Sequence, residues 1–272
     1  MVFFLFACNK ENVDQEDTSS QQLVEATEDI SLCIDLYIDI FDQANEALIR
    51  KLQDSIKTYD SLYLTSGAFL SMYTSSANPF PATIIIDYKG GKTDADGIVR
   101  KGKLTVNTTG FFNQTDAVIT IESKDYYVSN YEVKGKLLIT NKGMGSAGFH
   151  QFNFEVDSAI VINFKTNEYM SFSAAVTSEW TSGDTSFMPD QLDDSYAFSG
   201  TFSGITRKDL AFTAVTNSPI IHKVTCKSVN AGSATINLPK RDPYSINYGN
   251  GECDEKGFVI YKGVEYPFRL LY

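Results

Sequence analysis

All 18 glycines of this chain lie at or after Gly67, and all seven prolines at or after Pro79. Glycine and proline are the residues that most often interrupt a helix, and they also mark the turns between strands. A first quarter without either, followed by a punctuated remainder, predicts a helix and then a β domain. From Thr83 onward the apolar residues alternate, as strands do. The runs are 83–88, 102–109, 117–123, 131–141, 150–163, 169–180, 196–206, 210–217, 222–229, 233–238, 244–249, 257–263 and 264–271. Turn sequences such as DADG, TSGD, NAGS and GNGE separate them. No connection is long enough for a crossover helix, so the strands are expected to be antiparallel. The expected fold is mainly β: a large antiparallel β-sandwich or strongly curled sheet of about a dozen strands, with an N-terminal α-helix.

The helix is expected over residues 21–60. Leu23, Ala26, Ile30, Ile34, Tyr37, Phe41, Ala44, Leu48, Leu52 and Ile56 follow one another at steps of three or four, which makes an amphipathic stripe. Ser19 and Gln22 are spaced as a capping box. CIDLYIDIF (33–41) also alternates like a strand, but the three-four spacing outlasts it. Docking of the stripe on the chain's own β domain is the expected arrangement. Residues 1–8 form an apolar stub, 9–20 an acidic tether, and 80–272 the antiparallel β domain.

The formal net charge is −11. Residues 11–60 hold 13 acids and three bases, so nearly all of that charge sits in the N-terminal quarter. An acidic chain repels phosphates, which argues against nucleic acid as a partner. No apolar run reaches the roughly 18–20 residues of a membrane-spanning helix.

The chain opens MVFFLFACNKEN, and Leu5-Phe6-Ala7-Cys8 resembles a bacterial lipobox. In that motif an aliphatic residue stands three before the cysteine and a small residue just before it. Cleavage ahead of Cys8 would make it the N-terminal residue, and its thiol is the strong nucleophile required for a thioether to diacylglycerol. The stub is short for a signal peptide and no Lys or Arg precedes it, so the true start is expected upstream of Met1. Acyl chains on Cys8 would give the protein a membrane as partner. Lys10-Glu11, followed by Asp14, Glu16 and Asp17, resembles the acidic export signal of Bacteroidota lipoproteins. It implies the outer membrane, lipid-anchored, at its extracellular face.

The β part resembles a family of uncharacterised Bacteroidota lipoproteins. The segments that carry the likeness are DGIVRKGKLTV (96–106), LLITNKG (137–143), SEWTSGD (178–184), YAFSGTFSGITRKDLAFTAVTNSPI (196–220), VTCKSVNAGSATI (224–236) and INYGNGECDEKGFVIYKGVEYPF (246–268). The last contains a Tyr-Gly-x-Gly-x-Cys-Asp turn at Tyr248–Asp254. The resemblance implies an exported, mostly β lipoprotein and no particular activity. Where the family often has a cysteine before Asp96-Gly97, this chain has Ala95.

Candidate sites are sparse. Cys226 and Cys253 are a possible disulfide in an exported chain, though free thiols fit as well; Cys33 falls on the apolar side of the helix. Asp94 and Asp96 are weak metal candidates, because an EF-type loop would need an acid where Thr105 stands. Asp190, Asp193 and Asp194 form a second acidic loop, a weak candidate for a cation or a carboxylate pair. Trp180, Tyr126 and Tyr127, together with Tyr169 and Tyr196, are candidates for a glycan-stacking platform, against the ordinary reading of such rings as strand formers and core. Asp54-Ser55-Ile56, Asp60-Ser61-Leu62 and Asp157-Ser158-Ala159 resemble Asp-Ser/Thr-aliphatic O-glycosylation sites of Bacteroidota. No catalytic motif or phosphate loop is present, and no cofactor is implied. The expectation is a non-enzymatic envelope lipoprotein with a binding or structural role, its partner a glycan or another envelope protein. The alternatives are a glycan-binding or glycan-active β-sandwich, and a lipid or lipoprotein carrier with an apolar cavity.

Overall fold

A computed structural model describes residues 11–54, 63–74, 79–183 and 191–270. One helix, α1 (Glu11–Asp54), is followed by thirteen strands. They are β1 (Phe69–Thr74), β2 (Ala82–Thr93), β3 (Val99–Thr108), β4 (Val118–Val128), β5 (Tyr131–Met144), β6 (His150–Asn163) and β7 (Tyr169–Ser182). After these come β8 (Ser195–Ile205), β9 (Ala211–Lys223), β10 (Ala231–Asn237), β11 (Tyr244–Asn250), β12 (Lys256–Tyr261) and β13 (Val264–Arg269). Each strand pairs with its sequence neighbours, so the order in space is the order in the chain, within one antiparallel sheet. The strongly curled sheet is therefore what forms, and the two-layer sandwich is not. The sheet is open, with β1 and β13 as its edges.

The curl has a visible cause. Register shifts interrupt successive strand pairs at Asp87/Lys89, Lys101/Lys103, Ser123/Tyr126, Lys134/Leu137 and Val156/Ala159. An extra residue in one strand bends it and raises its twist. A row of such bulges across neighbouring strands rolls the whole sheet. Asp125 and Ser158 take φ of 49° and 52° at two of them. At a third, Gly135 has φ 148°, and a Cβ there would lie 2.6 Å from the Tyr37 hydroxyl. The bare backbone at Gly135 lets α1 approach the sheet.

The sheet rolls around α1. Every residue from Asp29 to Phe41 is buried, on all sides of the helix. The expected stripe is inside, but so are Leu32, Leu36, Ile40 and Ala47 on other faces. An amphipathic helix with a wet face is thus the wrong description of this stretch; the helix is the core of the molecule. Phe41 sits at its middle, with ring centroids 4.9 Å from Tyr196, 5.1 Å from Phe154 and 5.5 Å from Phe112. Phe112 stacks on Phe152 at 4.3 Å. Edge-to-face and stacked rings of this kind fill the space between helix and strands.

Three boundaries differ from the sequence reading. The helix begins at Glu11 and runs through Ser19, so most of the expected tether is helical and Ser19 does not cap it. The run 222–229 is not a strand beyond Lys223; β9 extends through Pro219, and 224–230 form a loop. Pro219 has no N–H to give a ladder, and it lies where the β9–β10 register shifts, opposite Gly232. Strand β1 was not expected at all. Its FLSMYT sequence is an edge with mostly polar or half-exposed positions, so its alternation is weak.

Candidate functional site

A second stripe on α1 consists of acids. Asp35, Asp39, Asp42 and Glu46 recur at steps of four, three and four, which is one face of a helix. That face is inside the sheet, so each acid needs a partner. Asp39 receives Arg100, Nε to Oδ1 at 3.0 Å, and the Tyr126 hydroxyl on Oδ2 at 3.0 Å. The same guanidinium reaches Asp94 at 2.6 Å. Asp35 accepts the Val229 backbone N–H at 3.0 Å. Asp42 meets His222 Nε2 at 2.8 Å. Glu46 accepts from the Thr65 backbone N–H at 2.7 Å and from Arg50 at 3.1 Å.

Neutral polar groups complete the ring of contacts. Gln43 accepts from Tyr88 at 2.6 Å and Asn45 donates to Tyr196 at 3.0 Å. Thr27 and Ser31 meet Tyr244 and Tyr248 of β11. Near the other end, Arg207 in the β8–β9 turn holds Asp29. The helix is pinned to β2, β3, β4, β8, β9 and β11 by residues of opposite polarity, while apolar packing fills the remainder. Such buried networks fix one arrangement when they are satisfied.

Among the described residues, the C-terminal half of α1 is not wholly covered. Between the β2–β3 turn and the β9–β10 loop lies a cleft of about 370 Å³. Its floor is Ile38, Asp39, Asp42 and Glu46; its walls include Asp96, Ile98, Val224 and Lys227. Lys227 Nζ spans the gap, donating to the Asp96 carbonyl at 3.1 Å. The volume lies within the range of small-molecule sites. The loop on one side is fixed by a disulfide, Cys226–Cys253, whose Cα atoms are 5.1 Å apart.

Burial sets the electrostatics here. It pushes the Asp35 carboxyl up to about 7, against the Val229 N–H that lowers it. Burial likewise raises Asp194 to about 7, opposed by hydrogen bonds from Trp180 and Tyr196. For His222, burial works against the charged ring, but the Asp42 contact outweighs it and holds the imidazole above its ordinary pKa. Burial pushes the Cys33 thiol far up, so it stays protonated and inert.

The residues singled out in the sequence are dispersed. Tyr126 is wholly buried and serves Asp39, whereas its neighbour Tyr127 faces outward beneath Lys101 Nζ at 5.3 Å. Trp180 lies on β7, its indole donating to Asp194 at 3.1 Å and its ring stacked 5.8 Å from Tyr196. These three rings do not form one platform. Asp94 spends Oδ1 on the backbone N–H groups of Asp96 and Ile98, and Oδ2 on Arg100. That makes it a turn former and an ion-pair partner in place of a calcium ligand. Asp194 is turned inward, accepting from Trp180 and Tyr196. Among the described residues no group of three or more His, Cys, Asp or Glu is placed to hold a metal ion. Ser158 is exposed in its Asp-Ser-Ala tripeptide, its hydroxyl donating to Asp157. Cys8, Asp190, Ser55 and Ser61 lie outside the described residues.

No family model matches the chain, and no curated protein or solved structure is detectably similar to it.

Arg100, Asp39 and Asp42 line the cleft, with His222 buried behind Asp42; of these only His222 was weighed from sequence, as one of two strand-end histidines read as ordinary rather than catalytic or metal-binding. Two signals pointed to them. The acidic stripe on α1 has helical spacing, which scattered surface charge does not require. Arg100 shares the inward phase of β3 with Leu104 and Val106, where a charge demands a buried partner.

Proposed function

We propose that this chain is a cell-envelope lipoprotein, anchored through Cys8 in the outer membrane and exposed on its outer face, with a non-enzymatic binding or structural role. The observation that carries the envelope reading is the Cys226–Cys253 disulfide. Disulfides form and persist in oxidising compartments and are rare where thiols are kept reduced. The lipobox resemblance at Leu5–Cys8 and the likeness of the β domain to Bacteroidota lipoproteins point the same way.

A binding role is supported by the form of the cleft. It is recessed and walled by both apolar and polar groups, and its Asp39, Asp94, Glu46, Arg50 and Arg100 are locked in ion pairs. Such groups offer a fixed, pre-organised surface. The glycan reading loses its platform with the separation of Trp180, Tyr126 and Tyr127. The carrier reading needs an apolar chamber, but α1 fills the rolled sheet. The apolar space left beside Tyr37 and Phe172 is about 40 Å³, well short of the roughly 150 Å³ that admits benzene in an engineered cavity.

The compartment is tested by thiol trapping in intact cells of the native host. Alkylation before lysis is expected to leave Cys226 and Cys253 unlabelled until a reductant is added. Labelling of both without reductant would place the chain in a reducing compartment and end the envelope reading.

A further inference from the structure

The helix leaves the roll at a defined end. Near the start of β8, Tyr196 accepts from Asn45 at 3.0 Å; just past its end, the Arg207 backbone N–H donates to Asp29 at 2.8 Å. Helix α1 therefore runs antiparallel to β8, and its N-terminus points out past Ile205. Gln22 meets Arg241 of the β10–β11 turn at the same end. Glu11 precedes Gln22 by eleven residues, about 16 Å of helix, and Cys8 comes three residues earlier still. The far ends of the strands are much more distant: β6, with 14 residues, spans about 46 Å.

The near end carries an apolar patch on its outer face. Ile160, Phe164, Tyr169 and Ile205 are 41%, 48%, 55% and 39% exposed. They are joined. Ile162 pairs with Tyr169, and Ser171 stands between Ile160 and Ile205. Phe164 packs edge-on against Tyr127, their centroids 6.0 Å apart. A joined apolar patch marks a contact surface, which scattered exposed residues do not. Around it the charges nearly cancel, although the chain carries −11. Lys134 is paired with Glu132 at 3.2 Å and Lys208 with Glu168 at 3.5 Å. Lys101 lies over the Tyr127 ring at 5.3 Å, and Lys165 and Asp209 stand exposed in turns. Such a surface suits the bilayer interface, where aromatic rings and lysine stems lie among the headgroups. The Tyr127 and Phe164 rings stand at 79° to each other, so they give a sugar no common shelf. We propose that this patch rests on the phospholipid surface to which the chain is anchored, with the cleft over the C-terminal half of α1 held away from it. The inference rests on the reading of an N-terminal membrane anchor.

The test uses the chain with a hexahistidine segment in place of residues 1–8, captured on phosphatidylcholine vesicles that contain a nickel-chelating lipid. This anchor does not depend on acylation of Cys8, so failure of the patch and failure of the lipoprotein reading are distinguished. Phe164→Cys and Met144→Cys, each at an exposed position, carry an environment-sensitive fluorophore. Cys33 is buried and Cys226 is bonded to Cys253, so the label goes to the introduced thiol. Met144 closes β5 at the opposite end of the roll. Brominated phospholipid is expected to quench the label at 164 at least about twofold more than the label at 144, since interfacial contacts reach ~5–10 Å into the headgroup boundary. Adding Tyr169→Ser with Ile205→Ser, both at exposed positions, is expected to weaken the quenching at 164. Equal quenching at the two positions, or none at 164, would overturn the proposal. So would a label at 164 that shifts to the blue without vesicles as protein concentration rises, because a second copy would then be covering the patch.

Discussion

Arg100 and Asp39 stand 61 residues apart in the chain and meet inside the rolled sheet, Nε lying 3.0 Å from one carboxylate oxygen and 3.2 Å from the other. Both side chains are about 5% exposed or less. Removing one partner of a buried pair strands the other charge, at a cost of about 3–5 kcal/mol. Arg100→Met is therefore expected to lower stability by that order in urea unfolding. Combining it with Asp39→Leu is expected to restore a part, because the deeply buried Asp39 charge is then gone and only the more exposed Asp94 carboxylate is left without Arg100. A double variant as unstable as the single one would show that the pair contributes by packing and not by charge.

Stability is expected to fall as pH rises through neutrality. Asp35 and Asp194 are pushed up to about 7 from an ordinary value near 3.8, so between these values the folded state holds protons that the unfolded state has released. Each such group lowers stability by about 1.4 kcal/mol per pH unit across that window. His222 acts with the same sign. Its folded pKa is raised, so its contribution is present below 6.5 and is lost as pH climbs through the folded value. Thermal unfolding is expected at a higher temperature at pH 5.5 than at pH 8, and Asp194→Asn is expected to flatten the slope. A melting temperature that rises over this interval would contradict the assignment.

The Cys226–Cys253 bond closes a loop of 27 residues. Constraining a loop of that length in the unfolded chain is worth about 3.5 kcal/mol on the chain-entropy relation. The paired variant Cys226→Ser with Cys253→Ser is expected to lose stability of that order in denaturant unfolding. Cys33, buried on α1, is expected to resist alkylation in the folded protein and to react after unfolding.

Much of the fold could be read from residue order alone. Alternation and turn glycines marked twelve of the strands, because one face of each is buried and the other is wet. The roll of the sheet was harder to read, since it depends on bulges at positions such as Asp125 and Ser158, where a single residue leaves the alternation. The helix was recognised from Leu23 to Leu48, yet its surroundings were not. Asp35, Asp39 and Asp42 look like a solvated face until the sheet closes over them. The cleft was illegible for the same reason: Arg100 reaches it, and His222 backs Asp42, from strands far from α1 in the chain. Trp180, Tyr126 and Tyr127 suggested a platform only because sequence proximity does not report which side of a strand a ring occupies.

The anchor is the claim on which the biological reading depends most. Mass spectrometry of the protein extracted from membranes of its native host tests it directly. The mature N-terminus is expected to be Cys8, carrying a diacylglyceryl thioether and no residue before it, and Cys8→Ala is expected to release the protein from the membrane fraction. Recovery of the unmodified peptide containing MVFFLFAC, with the protein free of membranes, would contradict it.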